Sequence, residues 1–158
     1  MIEKKLIVEE LRQYFDVREL VSKEVYQKNG ENAWRYFDTD LLQVLLTIRR
    51  DIVKAPMVCN NWANGGQLSQ RGLRENTAPM VKAKTEAGTL YLSAHTMGKA
   101  IDLSSPKYTA DKLRKMIEEK ADLLPCNIRM ESGKSAPTWL HIDTATAPSQ
   151  SDKIYIFI

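Results

Sequence analysis

The sequence is poor in several features that would assign a protein to a class at once. It contains only two cysteines, Cys59 and Cys126, and they lack the Cys-x-x-Cys spacing of metal-binding or redox pairs. We expect small buried thiols rather than a disulfide. No stretch approaches the roughly 20 apolar residues of a transmembrane helix. Internal repeats, low-complexity tracts and linkers are also absent from the sequence.

The chain also carries little net charge. The net charge is +3, with 23 basic and 20 acidic residues interspersed, and so small an imbalance predicts no nucleic-acid partner. The first ten residues include acidic side chains and lack the apolar core and cleavage site of a secretory signal. We therefore expect a soluble product made in the cytoplasm, without membrane insertion, which could act on an outside substrate only after release.

Length and composition predict a single domain. A chain of 158 residues can build one core but is short for two ordinary domains. Hydrophobic residues make up 43% and charged residues 27%, as in globular proteins. We divide the domain, residues 1–158, into an N-terminal helical segment at 1–38 and a core at 39–158.

The spacing of apolar residues predicts an α+β fold. Helical spacing occurs at 2–15, 17–26, 40–52 and 110–124, with Thr39 or Asp40 and Thr109 as N-caps. Strand patterns occur at 57–59, 89–92, 98–103, 126–130 and 138–143. Residues 154–158 form either a terminal strand or an exposed apolar tail. Together they predict a small, mainly antiparallel sheet covered by the helices at 40–52 and 110–124.

The chain has only two histidines, and each lies beside other possible metal ligands. His95 is followed by a glycine turn and by a strand that ends in Asp102, so the chain can fold back and bring the two together. His141 and Asp143 alternate along a strand and share one face. Two imidazoles and one carboxylate form a zinc ligand set that leaves a position for water. Asp143 could hold His141 in its ligating tautomer.

Two motifs in these segments resemble a known family. Ser93-x-His95-x-x-Gly98-x-Ala100-x-Asp102 is similar to the SxHxxGxAxD motif of the M15-type zinc peptidases, the D-Ala-D-Ala dipeptidases and carboxypeptidases. Trp139-Leu140-His141 is similar to their later W-x-H motif, and the order and separation of the motifs also fit. The hedgehog signalling domain shares this zinc fold. The resemblance covers residues 57–143 and implies a hedgehog/DD-peptidase-like fold.

The resemblance also implies roles for individual residues. His95, Asp102 and His141 would bind Zn²⁺, and Ser93 would support His95 by hydrogen bonding. An arginine upstream of the first histidine would hold a substrate carboxylate or stabilise the transition state.

Four other side chains are candidates for the substrate pocket or for the core. Arg71 or Arg74 could make the bidentate contact to a carboxylate, with a slight preference for Arg71, or both could be surface residues. Trp62 could line a substrate pocket or belong to the core, whereas the core is the favoured place for Trp139.

One position departs from the family pattern. The dipeptidases carry a glutamate three residues before the last histidine, where it acts as general base, and this sequence has Thr138 there. A hydroxyl group does not accept a proton near neutral pH, whereas a carboxylate can. Asp143, as base or orienting group, and Glu131, from the neighbouring strand, are therefore the candidate replacements.

The resemblance therefore implies a zinc metallopeptidase that hydrolyses a peptide bond in peptidoglycan. It could act as a D-Ala-D-Ala carboxypeptidase or as an endolysin-like enzyme of phage or prophage type. Thr138 also permits an inactive zinc-bearing module that binds a cell-wall peptide or a protein. A third interpretation is a metal-free interaction domain with an accidental motif. The bond that is cut, the oligomeric state and the role of the N-terminal helices stay open.

Overall fold

The computed structural model describes residues 3–148 and 152–158. Within these residues the chain forms six α-helices: α1 (Lys4–Leu11), α2 (Val17–Leu20), α3 (Lys23–Asn29), α4 (Thr39–Thr47), α5 (Pro79–Glu86) and α6 (Ala110–Glu119). A π-helix (Ile48–Val53) extends α4, and short 3-10 helices cover Gly30–Tyr36, Trp62–Asn64 and Ala121–Leu123. The strands are β1 (Ala100–Leu103), β2 (Ile128–Glu131), β3 (Leu140–Asp143) and β4 (Ile154–Phe157).

The four strands form one small mixed sheet in the order β1-β3-β2-β4. β3 pairs antiparallel with both β1 and β2, whereas β4 pairs parallel with β2. The predicted α+β class and small sheet are confirmed, and so is the terminal strand. The parallel pairing of β4 makes the sheet mixed.

The sheet has one apolar face and one polar face. Side chains alternate between the two faces of a strand. The strand pairing that buries the apolar side chains on one face therefore places the polar side chains on the other face. The apolar face joins the core formed by α1, α4 and α6 through Ile101, Leu103, Ile128, Met130, Leu140 and Ile142. The other face carries Asp102, His141 and Asp143.

Capping residues account for the starts of the helices α3, α4 and α6. The helix predicted at 17–26 is two helices, because Ser22 Oγ accepts a hydrogen bond from Val25 N and starts α3. The N-cap of α4 is Asp38, and not Thr39 or Asp40, because its side chain accepts from two amides of the first turn. Thr109 caps α6 as predicted. The helix predicted at 110–124 ends at Glu119 and is followed by a separate 3-10 helix at Ala121–Leu123.

Two predicted strands do not join the sheet. Residues 89–92 form no strand, and Leu90 and Leu92 are 86% and 79% exposed. The alternation of apolar residues was misleading there, because a strand also needs a hydrogen-bonding neighbour. Residues 57–59 form only one bridge, between Val58 and Ser104.

Two expectations from composition can be compared with the structure. Cys59 and Cys126 are free, as predicted, but only Cys59 is buried, whereas Cys126, expected to be buried as well, is half-buried. In the described part of the chain, we find no helix with the length and apolar character needed to cross a membrane.

Candidate metal centre

Three side chains converge at one point on the polar face of the sheet. One ligand atom each from His95, Asp102 and His141 lies within 4.8 Å of the other two. All three residues are buried, with 4% to 9% of their surface exposed. Imidazole nitrogen and carboxylate oxygen are donors that zinc and other divalent metals take in proteins. This cluster, which we call the His-Asp-His centre, could hold a metal ion.

Strand register brings Asp102 and His141 together. In the pairing of β1 with β3, Asp102 lies directly opposite His141. Asp102 Oδ1 is 2.7 Å from His141 Nδ1. A slip of one residue in either strand would turn its side chain to the apolar face, so the apolar pattern of the strands also specifies the centre.

A turn at Gly98 places His95 beside Asp102 and His141. The carbonyl of His95 accepts a hydrogen bond from Gly98 N, and Ser93 Oγ accepts one from His95 N at 3.2 Å. Gly98 has φ +67°, and an added Cβ would lie 2.1 Å from the carbonyl oxygen of Tyr36. Gly98 is therefore needed both for its backbone conformation and for its lack of a side chain. Ser93 supports the backbone of His95 rather than its ring.

The second nitrogen of each imidazole ring has its own acceptor. His95 Nδ1 is 2.9 Å from the carbonyl oxygen of Gly72, which leaves Nε2 facing Asp102 Oδ2 at 3.4 Å. His141 Nε2 is 3.0 Å from Asp143 Oδ2, which leaves Nδ1 facing Asp102. Metal-binding histidines almost always donate their other N–H to a carbonyl or carboxylate in this way.

The donor set is compatible with zinc, and so is the distance between His95 and Asp102. Bonds of 2.0–2.1 Å in a tetrahedral site place two ligand atoms about 3.3 Å apart, close to the 3.4 Å between His95 Nε2 and Asp102 Oδ2. Two histidines and one carboxylate also leave a fourth position for water or substrate. Other divalent metals accept the same donors.

Hydrogen bonding sets the charge of the centre. Burial by itself would raise the pKa of Asp102, but hydrogen bonds with His141 and His95 outweigh it and hold that pKa well below its usual range. Burial by itself would lower the pKa of His141, whereas hydrogen bonds with Asp102 and Asp143 raise it to about 9. The carboxylates on either side of His141 therefore stabilise a positive charge at this point.

A cleft opens beside Asp102. It has a volume of about 290 Å³, and its lining includes Arg71, Arg74, Asp102 and Trp139. Arg74 Nη2 is 3.6 Å from Asp102 Oδ2, whereas Arg71 Nη1 donates to Ser104 Oγ at 2.9 Å. Both predicted arginines therefore border the cleft, and the guanidinium of Arg74 contacts the centre.

The two tryptophans lie differently from one another. Trp139, for which the core was the favoured place, is instead half-buried and lines the cleft. Trp62 lines a separate cavity of about 490 Å³, and its Nε1 donates to the carbonyl of Val21 at 2.8 Å. Gln67, Ser69 and Gln70 border both spaces, so Trp62 lies near the cleft but outside it.

The candidate bases occupy unequal positions. Asp143 is fully buried behind His141, where its oxygens accept from Arg129, His141 and Ala145. Glu131 is half-exposed in β2, and the β2–β3 register continued by one residue places it opposite His141. Thr138 is exposed. The contacts of Asp143 suit an orienting group, whereas Glu131 keeps access to solvent.

Three residues that hold the centre were not predicted from the sequence: Gly72, Arg129 and Phe157. Gly72 acts through its carbonyl, which no side-chain motif reveals. Arg129 donates to both oxygens of Asp143, and alternation along β2 could have placed it on the same face as Glu131. The rings of Phe157 and His141 are nearly perpendicular, with centroids 5.6 Å apart.

Comparisons of the chain with protein-family models, with curated proteins and with solved structures found no match. The residues and contacts described above therefore carry the functional proposal.

Proposed function

We propose that the protein is a zinc-dependent peptidase that hydrolyses a peptide bond in the stem or cross-link peptides of peptidoglycan, with a hedgehog/DD-peptidase-like fold. The observation that carries the proposal is the convergence of His95, Asp102 and His141 beside a cleft bordered by arginines. The two sequence motifs, which resemble those of D-Ala-D-Ala carboxypeptidases and dipeptidases, suggest the substrate class.

The metal ligands and the cleft have separate tasks in this proposal. Zinc, when bound by the His-Asp-His centre, would polarise the scissile carbonyl and activate a water molecule. Arg74, beside Asp102, would bind a carboxylate of the substrate or the oxygen on which charge develops. Arg71, which is held by Ser104, would border the path of the peptide, with Trp139 on the cleft wall.

Glu131 and Asp143 are the two candidates for the general base. Glu131 has the better access to a water molecule, whereas Asp143 is enclosed by its hydrogen-bond donors. We expect Glu131→Gln to lower the cleavage rate about 100-fold or more while zinc is retained. Full activity of zinc-loaded Glu131→Gln and Asp143→Asn would remove both carboxylates from the mechanism.

Thr138 favours a second candidate function, a zinc-bearing module that binds a wall peptide without cleaving it. The side chain at this position is exposed and has no acid–base chemistry near neutral pH. This module would keep the metal and the arginine-bordered cleft. It differs from the peptidase in leaving the bound peptide intact.

Digestion of purified peptidoglycan and of a stem peptide ending in D-Ala-D-Ala tests the two functions. Zinc-loaded protein is compared with His141→Ala, and products are identified by mass spectrometry. The peptidase proposal requires products that are absent from the variant, and the mass of each product identifies the bond. Binding without products would support the module, and neither binding nor cleavage would contradict both functions.

A further inference from the structure

We infer that Arg129 is a positioning residue of the metal centre, which acts through Asp143 to fix the ring of His141. The inference rests on the metal centre of the proposed function and not on the reaction. Arg129 lies outside both sequence motifs, and its guanidinium does not belong to the ligand cluster.

Arg129 binds Asp143 with two hydrogen bonds. Its Nε donates to Oδ1 at 2.7 Å and its Nη2 donates to Oδ2 at 3.0 Å. Asp143 is fully buried, whereas 26% of the Arg129 side chain is exposed. A buried carboxylate is costly without a partner, and the planar fork of an arginine fixes the carboxylate orientation as well as neutralising its charge.

Asp143 transmits that orientation to His141. Its Oδ2 is 3.0 Å from His141 Nε2. An ionised carboxylate can only accept hydrogen bonds, so Nε2 keeps its proton when a cation occupies the centre. The lone pair is then on Nδ1, the nitrogen that faces Asp102 at 2.7 Å. Arg129 thereby selects which nitrogen of His141 binds the metal.

Phe157 of β4 contacts both Arg129 and His141. The guanidinium carbon of Arg129 lies 4.9 Å from the centre of the Phe157 ring, a cation–π distance. The same ring packs nearly perpendicular to the ring of His141, at an interplanar angle of 89°. Arg129, Asp143, His141 and Phe157 therefore form a continuous set of contacts, which we call the His141 brace.

If Arg129 had a purely structural role, its replacement would have different effects. If the guanidinium only neutralised buried Asp143, its loss would lower stability but would leave zinc affinity and the protonated nitrogen of His141 unchanged in the folded protein. A positioning role alters both, because partners behind a metal ligand typically change metal affinity about 10–100-fold.

The test compares Arg129→Met and Arg129→Lys with Arg50→Met. Arg50 is a matched control, since its Nε and Nη2 donate to Asp51 at 2.9 Å each on the surface. Zinc affinity is measured by competition with a chromophoric chelator on proteins shown to be folded by circular dichroism. Nitrogen-15 spectra of zinc-loaded protein report the tautomers, because the chain has only two histidine rings to assign.

We expect the wild type to bind zinc through Nδ1 of His141 with Nε2 protonated. Arg129→Met should weaken zinc binding about 10–100-fold and mix the tautomers of His141. Arg129→Lys, which keeps the charge without the fork, should weaken it less, and Arg50→Met should match the wild type.

Folded Arg129→Met with wild-type affinity and spectrum would overturn the inference. If Arg129→Met does not fold, the same result for Arg129→Lys overturns it, as does coordination through Nε2 in the wild type. A wild type without zinc affinity would remove both this inference and the proposed peptidase. A zinc-binding wild type that cleaves nothing would remove only the peptidase.

Discussion

At the scale of single residues, the centre depends as much on two glycines as on its ligands. Gly98 permits the turn that presents His95, and Gly72 supplies the carbonyl that orients its ring. An added Cβ on Gly72 would lie 1.8 Å from the carbonyl oxygen of Leu20. Gly98 therefore excludes a side chain for reasons of both packing and conformation, and Gly72 for packing.

We predict that Gly98→Ala destabilises the protein more than Gly65→Ala does. Gly65 has φ +83° but no neighbour within 4 Å of an added Cβ, so its replacement costs only the backbone strain, about 1–2 kcal/mol. Gly98→Ala adds the collision with Tyr36, which costs about 1–3 kcal/mol more. Urea unfolding of the two variants measures the difference, and equal losses would show that the turn adapts easily.

At the scale of elements, α4 and the histidine turn are joined at Asp38. The backbone N–H of Asp38 donates to the carbonyl of Gly98 at 2.9 Å. Its side chain caps α4 and lies 3.1 Å from Lys99 Nζ. Burial alone would raise the pKa of Asp38, but hydrogen bonds from Lys99 and the helix amides lower it below its usual value.

We predict that Asp38→Ala lowers the free energy of unfolding by about 1 kcal/mol at pH 7, because the N-cap is lost. A lowered pKa in the folded state means that the charge stabilises the fold above the unfolded pKa of about 3.9 and that this contribution is lost as pH falls below it. The difference in unfolding free energy between Asp38→Ala and wild type should therefore shrink in acid.

The control is Asp38→Asn, which can still cap the helix and should lose less stability at pH 7 than Asp38→Ala. A difference for Asp38→Ala that does not change with pH would contradict the assignment.

The elements also show what could be predicted from the sequence. The glycine turn predicted that His95 and Asp102 come together, because a turn is a local feature, whereas the joining of His141 to them was implied only by the resemblance of the two motifs and depends on the pairing of β1 with β3. The partner of a strand is a non-local property, so the parallel pairing of β4 and the unpaired segment at 89–92 could not be derived from alternation. The contact between Arg129 and Asp143 depends on the β2–β3 register, which the pattern alone leaves open.

At the scale of the whole molecule, the metal centre joins parts of the chain that are distant in sequence. His95 and Asp102 belong to the turn and to β1, His141 to β3, and Arg74 to the segment that borders the cleft. A ligand that binds only the folded arrangement stabilises it by mass action. Metal binding should therefore act on the stability of the fold as a unit.

We predict that zinc raises the unfolding temperature of the wild type. Free zinc at about 100 times its dissociation constant stabilises the folded state by about 2.7 kcal/mol, which corresponds to roughly 5–10 °C for a domain of this size. Removal of zinc by a chelator should reverse the shift. Differential scanning calorimetry of wild type and His141→Ala checks this, and an equal shift in the variant would place the zinc elsewhere.

The zinc content of the purified protein tests the central claim most directly. Elemental analysis is made on the wild type, on His95→Ala and His141→Ala, and on the Arg50→Met control, after dialysis against zinc and then against metal-free buffer. The His-Asp-His centre predicts about one zinc per chain in wild type and control, and a large loss in both histidine variants. Wild type with less than one zinc per several chains, or histidine variants that keep a full equivalent, would contradict the account.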